Sequence, residues 1–164
     1  MPKKIDLESA KVVTGSRYPA PYNEPCMNRL RRCLGDVAGL THFGVNLTRL
    51  SPGVWSSQRH WHSAEDEFIY VVEGELVLVT GAGEEILRAG DCAGFKAGTP
   101  DGHHLQNRSA KDAAYLEIGS RRPEVDDVTY PDIDLRALRG REGYVHNDGR
   151  PYASAKPRNP ATGE

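Results

Sequence analysis

The chain has 164 residues and a mass of 18.1 kDa, the size of a single domain with its own core. Its 21 Lys and Arg residues nearly balance 23 Asp and Glu residues, and this charge balance disfavours a nucleic-acid-binding module. The longest apolar run, Phe68–Val72, is too short to cross a bilayer, and Met1–Val13 has no apolar signal core. We therefore expect a cytoplasmic protein that contacts neither nucleic acid nor membrane.

Residues 1–40 are predicted to form an irregular N-terminal arm. A segment rich in proline and tyrosine, Tyr18–Tyr22, lies in this arm. Residues Asn28–Leu34 follow it and are compatible with a short helical turn. No long 3.6-residue hydrophobic period occurs here or elsewhere, and this disfavours a helical bundle.

Residues 41–120 carry nearly all of the strand signal. Short runs rich in β-branched and aromatic residues alternate with glycine-containing turns, and Thr80–Gly83 is predicted to be a hairpin loop. Many short strands at close spacing are typical of an all-β sandwich or barrel. The predicted strands are Phe43–Leu50, Glu67–Val72, Leu76–Thr80, Ile86–Arg88, Asp91–Phe95, His103–Asn107 and Ala113–Gly119.

Residues 121–164 are predicted to form a C-terminal extension that is partly flexible. The segment is polar and proline-rich, and Pro157–Glu164 is predicted to be disordered or an arm. Residues Tyr144–Tyr152 differ, because their two tyrosines can pack on the domain surface or on a neighbouring subunit.

The three cysteines are predicted to be free thiols. Cys26, Cys33 and Cys92 are odd in number and form no CxxC pair, so neither a disulfide framework nor a thiolate zinc site is indicated. Free thiols are typical of a reducing compartment.

The segment around His60 and His62 carries the main chemical signal. On a strand, residues at i and i+2 point to the same face, so both imidazoles can bind one cation. Glu67 would lie on the opposite face of a continuous strand, and it joins the histidines only if the chain turns at Ser63–Asp66 and Glu67 starts a neighbouring strand. His103, at the head of a later strand, is the predicted fourth ligand.

Three imidazoles and one carboxylate suit a divalent transition metal such as Zn, Mn, Fe or Ni, with the identity left open. Four protein ligands around an octahedral ion leave two positions for water, oxygen or a chelating substrate. This is the arrangement of a catalytic metal site and not of a closed structural one.

These residues make the chain resemble the cupin superfamily, in particular small single-domain bacterial cupins. The family has two sequence motifs, and here 15 residues separate the end of the first, at Gly74, from the start of the second, at Gly90. In the second motif, Lys96 stands where proline is usual. The family pattern of His and Asn at i and i+4 selects His103 as the ligand, with His104 as the alternative on the opposite, outward strand face. The matching positions are Gly53, His60, His62, Glu67 and Gly74, then Gly90, Asp91, Phe95, Gly98, His103 and Asn107.

The resemblance implies a jelly-roll β-barrel with the metal in its mouth, and a homodimer. It also implies a metalloenzyme that acts on a small oxygen-rich metabolite by isomerase, lyase or dioxygenase chemistry. A non-catalytic protein that binds a sugar or another metabolite is the alternative. Catalytic residues stay unassigned at this point.

Other side chains are weaker candidates for the site. In the last strand of the barrel Tyr115 and Glu117 share one face, and Phe68 and Tyr70 share one face of an earlier strand, but the sequence does not indicate which pair points inward. A smaller set flanks the ligands or lies apart from them. Arg59 and Gln58 can contact an anionic substrate, Glu65 and Asp66 are interpreted as loop carboxylates with Asp66 near the ligands, and His42 and His146 as surface side chains.

Overall fold

The computed structural model describes residues 4–153, which form a mostly antiparallel β-structure. One short helix, α1 (Leu34–Val37), and two 3₁₀ turns accompany the strands in this range. The strands are β1 (Val12–Thr14), β2 (Leu30–Cys33), β3 (Phe43–Leu50), β4 (Trp61–His62), β5 (Glu67–Glu73), β6 (Glu75–Thr80), β7 (Gly83–Arg88), β8 (Cys92–Phe95), β9 (His104–Gln106), β10 (Ala113–Ser120), β11 (Val128–Tyr130) and β12 (Leu135–Ala137).

The strands form a jelly-roll barrel. One sheet has six strands in the order β1-β2-β3-β10-β5-β8, and a second has the order β7-β6-β9. A third sheet, in the order β12-β11-β4, joins the C-terminal flank to the barrel. Apolar side chains from the two barrel sheets form the main core, which includes Leu50, Val71, Leu76, Leu105 and Tyr115.

The strand period of two decides which side chains enter the barrel. On β5, Ile69 and Val71 are buried, whereas Phe68 and Tyr70 are 40% and 42% exposed on the outer face. On β10, Tyr115 is 1% exposed, and Glu117 lines the same interior. The pair that points inward is therefore Tyr115 with Glu117.

The prediction for the N-terminal flank was wrong in part. Residues Leu30–Cys33, expected in a helical turn, form strand β2, and the helix starts only at Leu34. β2 pairs with β3, and β1 pairs with β2, so the six-stranded sheet takes two strands from this flank. The free edge of β3 offers backbone hydrogen bonds over four residues, and these outweigh a local helical preference.

The C-terminal flank packs against the mouth of the barrel. β11 pairs with β4 through the register of Val128 with His62. A second apolar cluster, which includes Tyr18, Tyr130 and Tyr144, joins the two flanks, so Tyr144 packs within its own chain. The segment Pro157–Glu164, predicted to be disordered, lies outside the described residues.

The connection between β5 and β6 requires a glycine. Gly74 has a φ of +79°, and a Cβ there would lie 2.7 Å from the Asp112 carbonyl oxygen. Gly74 alone therefore connects the end of β5 to the start of β6.

The cysteines agree with the sequence prediction. Cys26, Cys33 and Cys92 are free thiols, the first two buried and the third exposed. Among residues 4–153, no helix has the length and apolar character that a membrane crossing needs.

Candidate metal centre

His60 and His62 point to one side of a short strand, as their spacing predicts. The Nε2 atoms of His60 and His62 lie 3.6 Å and 3.5 Å from Oε2 of Glu67. Glu67 is the first residue of β5, and a non-strand segment over residues 63–66 separates it from β4. The turn inferred from the sequence is present. Because of this turn, Glu67 points toward the two imidazoles although it follows His62 by an odd number of residues.

His103 reaches the cluster from a third direction. Its backbone exchanges two hydrogen bonds with that of His60, and its Nε2 lies 2.9 Å from Oε2 of Glu67. The ring of Phe95 stacks on the His103 imidazole at a centroid distance of 3.5 Å, which fixes the plane of the ring. The ligand atoms of His60, His62 and Glu67 lie within 4.8 Å of one another, and His103 contacts this group through Glu67.

The hydrogen bonding of the cluster fits a bound cation. Oε2 of Glu67 is buried and has no hydrogen-bond partner among the described residues, although three imidazoles face it. On the far side of the rings, Nδ1 of His60 lies 2.9 Å from the Gln58 carbonyl oxygen and Nδ1 of His62 lies 2.7 Å from Asp126. With a proton on each Nδ1, both Nε2 lone pairs are directed at the centre. An oxygen donor and imidazole nitrogens in this state match a divalent transition metal.

The electrostatics of the cluster favour a positive charge. Burial by itself would raise the pKa of Glu67, but the imidazoles of His62, His103 and His60 hold that pKa well below its usual range. Burial disfavours a charged His62, yet Glu67, Asp126 and Glu65 raise its pKa to about 8. The pKa of His103 is lowered because burial outweighs the attraction of Glu67. The carboxylates around His62 therefore provide charge that a cation can neutralise.

Asp126 is a site residue that the sequence analysis missed. It is completely buried, it lies 2.7 Å from Nδ1 of His62, and it accepts the Ala64 backbone N–H at 2.9 Å. A carboxylate behind a ligating imidazole fixes its tautomer and makes it a better metal ligand. Asp126 lies 64 residues from His62 in a polar segment without a motif, so only the fold reveals it.

The interpretation of the loop carboxylates was wrong in one respect. Glu65 and not Asp66 lies near the ligands: Glu65 is 6% exposed, and its Oε2 is 3.8 Å from Nδ1 of His62. Glu65 also accepts the Arg122 backbone N–H, which ties the loop to the C-terminal flank. Asp66 is exposed and accepts the Ala97 N–H at 2.8 Å.

The expectation that His104 faces outward is also wrong. His104 is 5% exposed, with Nδ1 2.9 Å from the Ser57 carbonyl oxygen and Nε2 3.0 Å from the Gln106 amide. Its pKa falls to about 4 because of burial. The strand face it shares with Gln106 is covered by the segment that carries Trp55, whose ring meets the imidazole edge-on.

The cluster opens into a cavity that several polar and charged side chains line together with apolar ones. Facing it from β2, β3 and β10 are Arg31, Asn46, Tyr115 and Glu117. An Arg31 Nη2 lies 2.9 Å from Oε2 of Glu117, the Asn46 amide donates to Oε1 at 3.3 Å, and the Tyr115 hydroxyl donates to Oε2 at 3.4 Å. A carboxylate with three donors is thus held inside the barrel.

The remaining candidates lie away from the cavity. Arg59 donates to both Asp132 carboxylate oxygens at 2.7 Å and 2.6 Å, and Gln58 donates to the Tyr22 carbonyl oxygen. Neither side chain lines the cavity, so both lose their predicted role as anion contacts. His42 is exposed, and His146 pairs with Asp134 near the surface.

Comparisons with known proteins agree with this fold. The family model described as the cupin domain matches residues 46–119. A solved structure described as a sugar phosphate isomerase from a cupin superfamily, from Silicibacter pomeroyi, is 42% identical, with a TM-score of 0.85, and the match covers 93% of this chain and 98% of that chain. No curated protein matches the chain.

Two further structures extend the comparison. A putative sugar phosphate isomerase from Acidithiobacillus ferrooxidans is 31% identical, with a TM-score of 0.64, over 73% of this chain and 72% of that one. A predicted oxalate decarboxylase from Thermotoga maritima is 17% identical, with a TM-score of 0.56, over 72% of this chain and 98% of that one, and shows the fold alone. The barrel, the two sequence motifs and the 42% identity to a cupin structure over 93% of this chain lead to one conclusion. The chain belongs to the cupin superfamily.

Proposed function

We propose that this protein is a metal-dependent isomerase that acts on a small phosphorylated sugar. The observation that carries the proposal is the position of the His and Glu cluster in the wall of a cavity that is otherwise rich in polar and charged side chains. The two relatives described as sugar phosphate isomerases favour isomerisation over lyase or dioxygenase chemistry.

We assign the ligands as Nε2 of His60, His62 and His103 and a carboxylate oxygen of Glu67. When bound, a divalent ion supplies Lewis-acid polarisation of a sugar carbonyl and its neighbouring hydroxyl. The chain itself orients the ligands, through the Nδ1 contacts of His60 and His62 and the stacking of Phe95 on His103.

Arginines in the cavity suit a phosphorylated substrate. Arg121 follows the last residue of β10 and lines the cavity, with its guanidinium oriented by Asp36 at 2.6 Å and the Leu40 carbonyl oxygen at 2.8 Å. A planar guanidinium presents paired N–H donors that match phosphate oxygens. We assign the phosphate group to the Arg121 side of the cavity and the reacting carbons to the metal side.

Two experiments test the proposal. Elemental analysis of the purified protein is expected to give about one divalent transition metal per chain, and His60→Ala is expected to lose it while the exposed His42→Ala retains it. The metal-loaded protein is then incubated with aldose and ketose phosphates of three to seven carbons, and carbon NMR follows their interconversion. Saturable binding of these compounds without any turnover would refute catalysis and favour the alternative of a metabolite-binding protein.

A further inference from the structure

The geometry points to Glu117 as the catalytic residue that carries the proton between neighbouring sugar carbons, an inference that rests on the proposed isomerase function. Glu117 is neither a candidate metal ligand nor part of a family motif. It is the carboxylate that faces the cavity from the middle of β10, with a side chain that is 16% exposed.

The strand register places Glu117 at a suitable distance from the metal ligands. Between β10 and β5, Gly119 pairs with Glu67, and Glu117 pairs with Ile69. All four residues line the cavity, and Glu117 is the diagonal neighbour of Glu67. Diagonal neighbours of this kind are about 7–8 Å apart in a sheet. We place the sugar carbonyl and the adjacent carbon between these two side chains, with the carbonyl on the Glu67 side.

A glycine on β10 leaves space beside Glu67. Gly119 and Gly44 face each other across β10 and β3, and both line the cavity. A Cβ at Gly119 would lie 3.7 Å from Cγ of Glu67, whereas a Cβ at Gly44 would lie 3.4 Å from Nε of Arg121. The missing side chain of Gly119 therefore leaves room next to the Glu67 side chain, on the side where we place the reacting carbons.

A contribution to stability does not by itself explain why a carboxylate lies at position 117 inside the barrel. The Arg31 side chain is only 4% exposed, and removing an Arg–Glu pair from water costs about as much as the pair returns. Apolar residues would fill this part of the barrel at least as well. Arg31, Asn46 and Tyr115 instead direct hydrogen-bond donors at both oxygens of Glu117, which keeps the carboxylate in one position.

The proton transfer balances without any further reactant. The carboxylate of Glu117 accepts the proton from the carbon next to the sugar carbonyl, the electron pair of that C–H bond forms a C=C bond, and the carbonyl oxygen takes the negative charge. The hydroxyl proton of the enediolate moves from one oxygen to the other. Glu117 then returns its proton to the former carbonyl carbon, and the C=C electron pair forms the new C–H bond while the second oxygen becomes the carbonyl.

The test compares Glu117→Gln with Glu73→Gln. Glu73 forms the same kind of pair, 3.0 Å from Arg49, but on the exposed side of β5, so it is a matched control. We expect Glu117→Gln to lower kcat about 10²- to 10⁴-fold and to abolish deuterium uptake from D₂O at the transfer carbon. Metal content is expected to stay at the wild-type value, whereas the melting temperature of Glu117→Gln is expected to fall because the buried Arg31 loses its carboxylate partner. Glu73→Gln is expected to behave as wild type in all four measurements.

A second variant keeps the carboxylate. Glu117→Asp is one methylene shorter, and we expect a kcat about 10²-fold lower than wild type with deuterium uptake retained. Two outcomes would show that Glu117 is not the proton carrier. In the first, Glu117→Gln or Glu117→Asp isomerises within fivefold of the wild-type rate without deuterium uptake; in the second, Glu117→Gln keeps both the wild-type kcat and the uptake. Either outcome leaves the proposed isomerase function standing. A wild-type protein that binds metal but isomerises none of the sugar phosphates refutes both proposals.

Discussion

Replacing Asp126 by Asn tests the candidate metal centre most directly. The carboxylate at this position accepts a hydrogen bond from Nδ1–H of His62, and this leaves the Nε2 lone pair free for a metal. An Asn side chain can direct its NH₂ group at Nδ1 instead, which moves the ring proton to Nε2 and blocks the ligand atom. Loss of such a carboxylate typically costs 10- to 100-fold in metal affinity, or about 1.4–2.7 kcal/mol.

The same substitution changes the pH dependence of the metal-free protein. Burial opposes a charged His62, but Glu67, Asp126 and Glu65 raise its pKa to about 8, against an ordinary value of 6.5. This difference contributes about 2 kcal/mol of stability, which is present below about pH 6.5 and lost as the pH rises through about 8. Asp126→Asn removes one of the three carboxylates, so its stability is expected to fall less steeply over this range.

The assays are competition with a fluorescent chelator for metal affinity, and thermal melting in chelator from pH 6 to pH 8.5. Asp134→Asn is the matched control, because His146 Nδ1 lies 2.7 Å from Asp134 in the same kind of pair, with Asp134 50% exposed and remote from the cavity. A folded Asp126→Asn protein with the metal affinity of Asp134→Asn would show that the buried carboxylate does not prepare His62 for metal binding.

Three further predictions follow from the fold. His103→Gln is expected to lose bound metal and His104→Gln to keep it, as measured by elemental analysis; the reverse would make His104 the ligand. Gly74→Ala is expected to cost about 1–3 kcal/mol more in chemical denaturation than Gly53→Ala, because both glycines have positive φ but only a Cβ at Gly74 meets backbone atoms; equal losses would contradict this. The family resemblance predicts a homodimer, so light scattering is expected to give twice the 18.1 kDa chain mass; a monomeric wild-type chain would refute the dimer.

The barrel and the convergence of its polar cluster could be predicted because they depend on local patterns. A period of two brings His60 and His62 to one face, and the polar break before Glu67 accounts for its change of strand. Choosing between the pairs on β5 and β10 needed the sheet register, because an alternating strand has the same pattern whichever face is buried. The structure made this choice by burying Tyr115 and exposing Tyr70.

The flanks show where sequence reasoning fails. Leu30–Cys33 pairs with β3 through backbone hydrogen bonds to residues more than ten positions away, such as Arg49 with Leu30. Backbone groups are the same for every residue type, so the alternation of side chains does not indicate this pairing. His104 was misjudged for a related reason, since parity gives the strand face but not what covers that face. Asp126 has no neighbouring residue that marks it, and its role depends on the antiparallel pairing of β11 with β4.

The pairing of β11 with β4 links metal binding to the folding of the C-terminal flank. Because Asp126 and β11 come from that flank while His62 comes from the barrel, detaching the flank removes a support of the ligand. By mass action, a metal present at 100 times its dissociation constant stabilises the form that binds it by about 2.7 kcal/mol. Loading the metal is therefore expected to slow hydrogen exchange in Val128–Tyr130, and a chain shortened to its central barrel would bind metal weakly even if it folds.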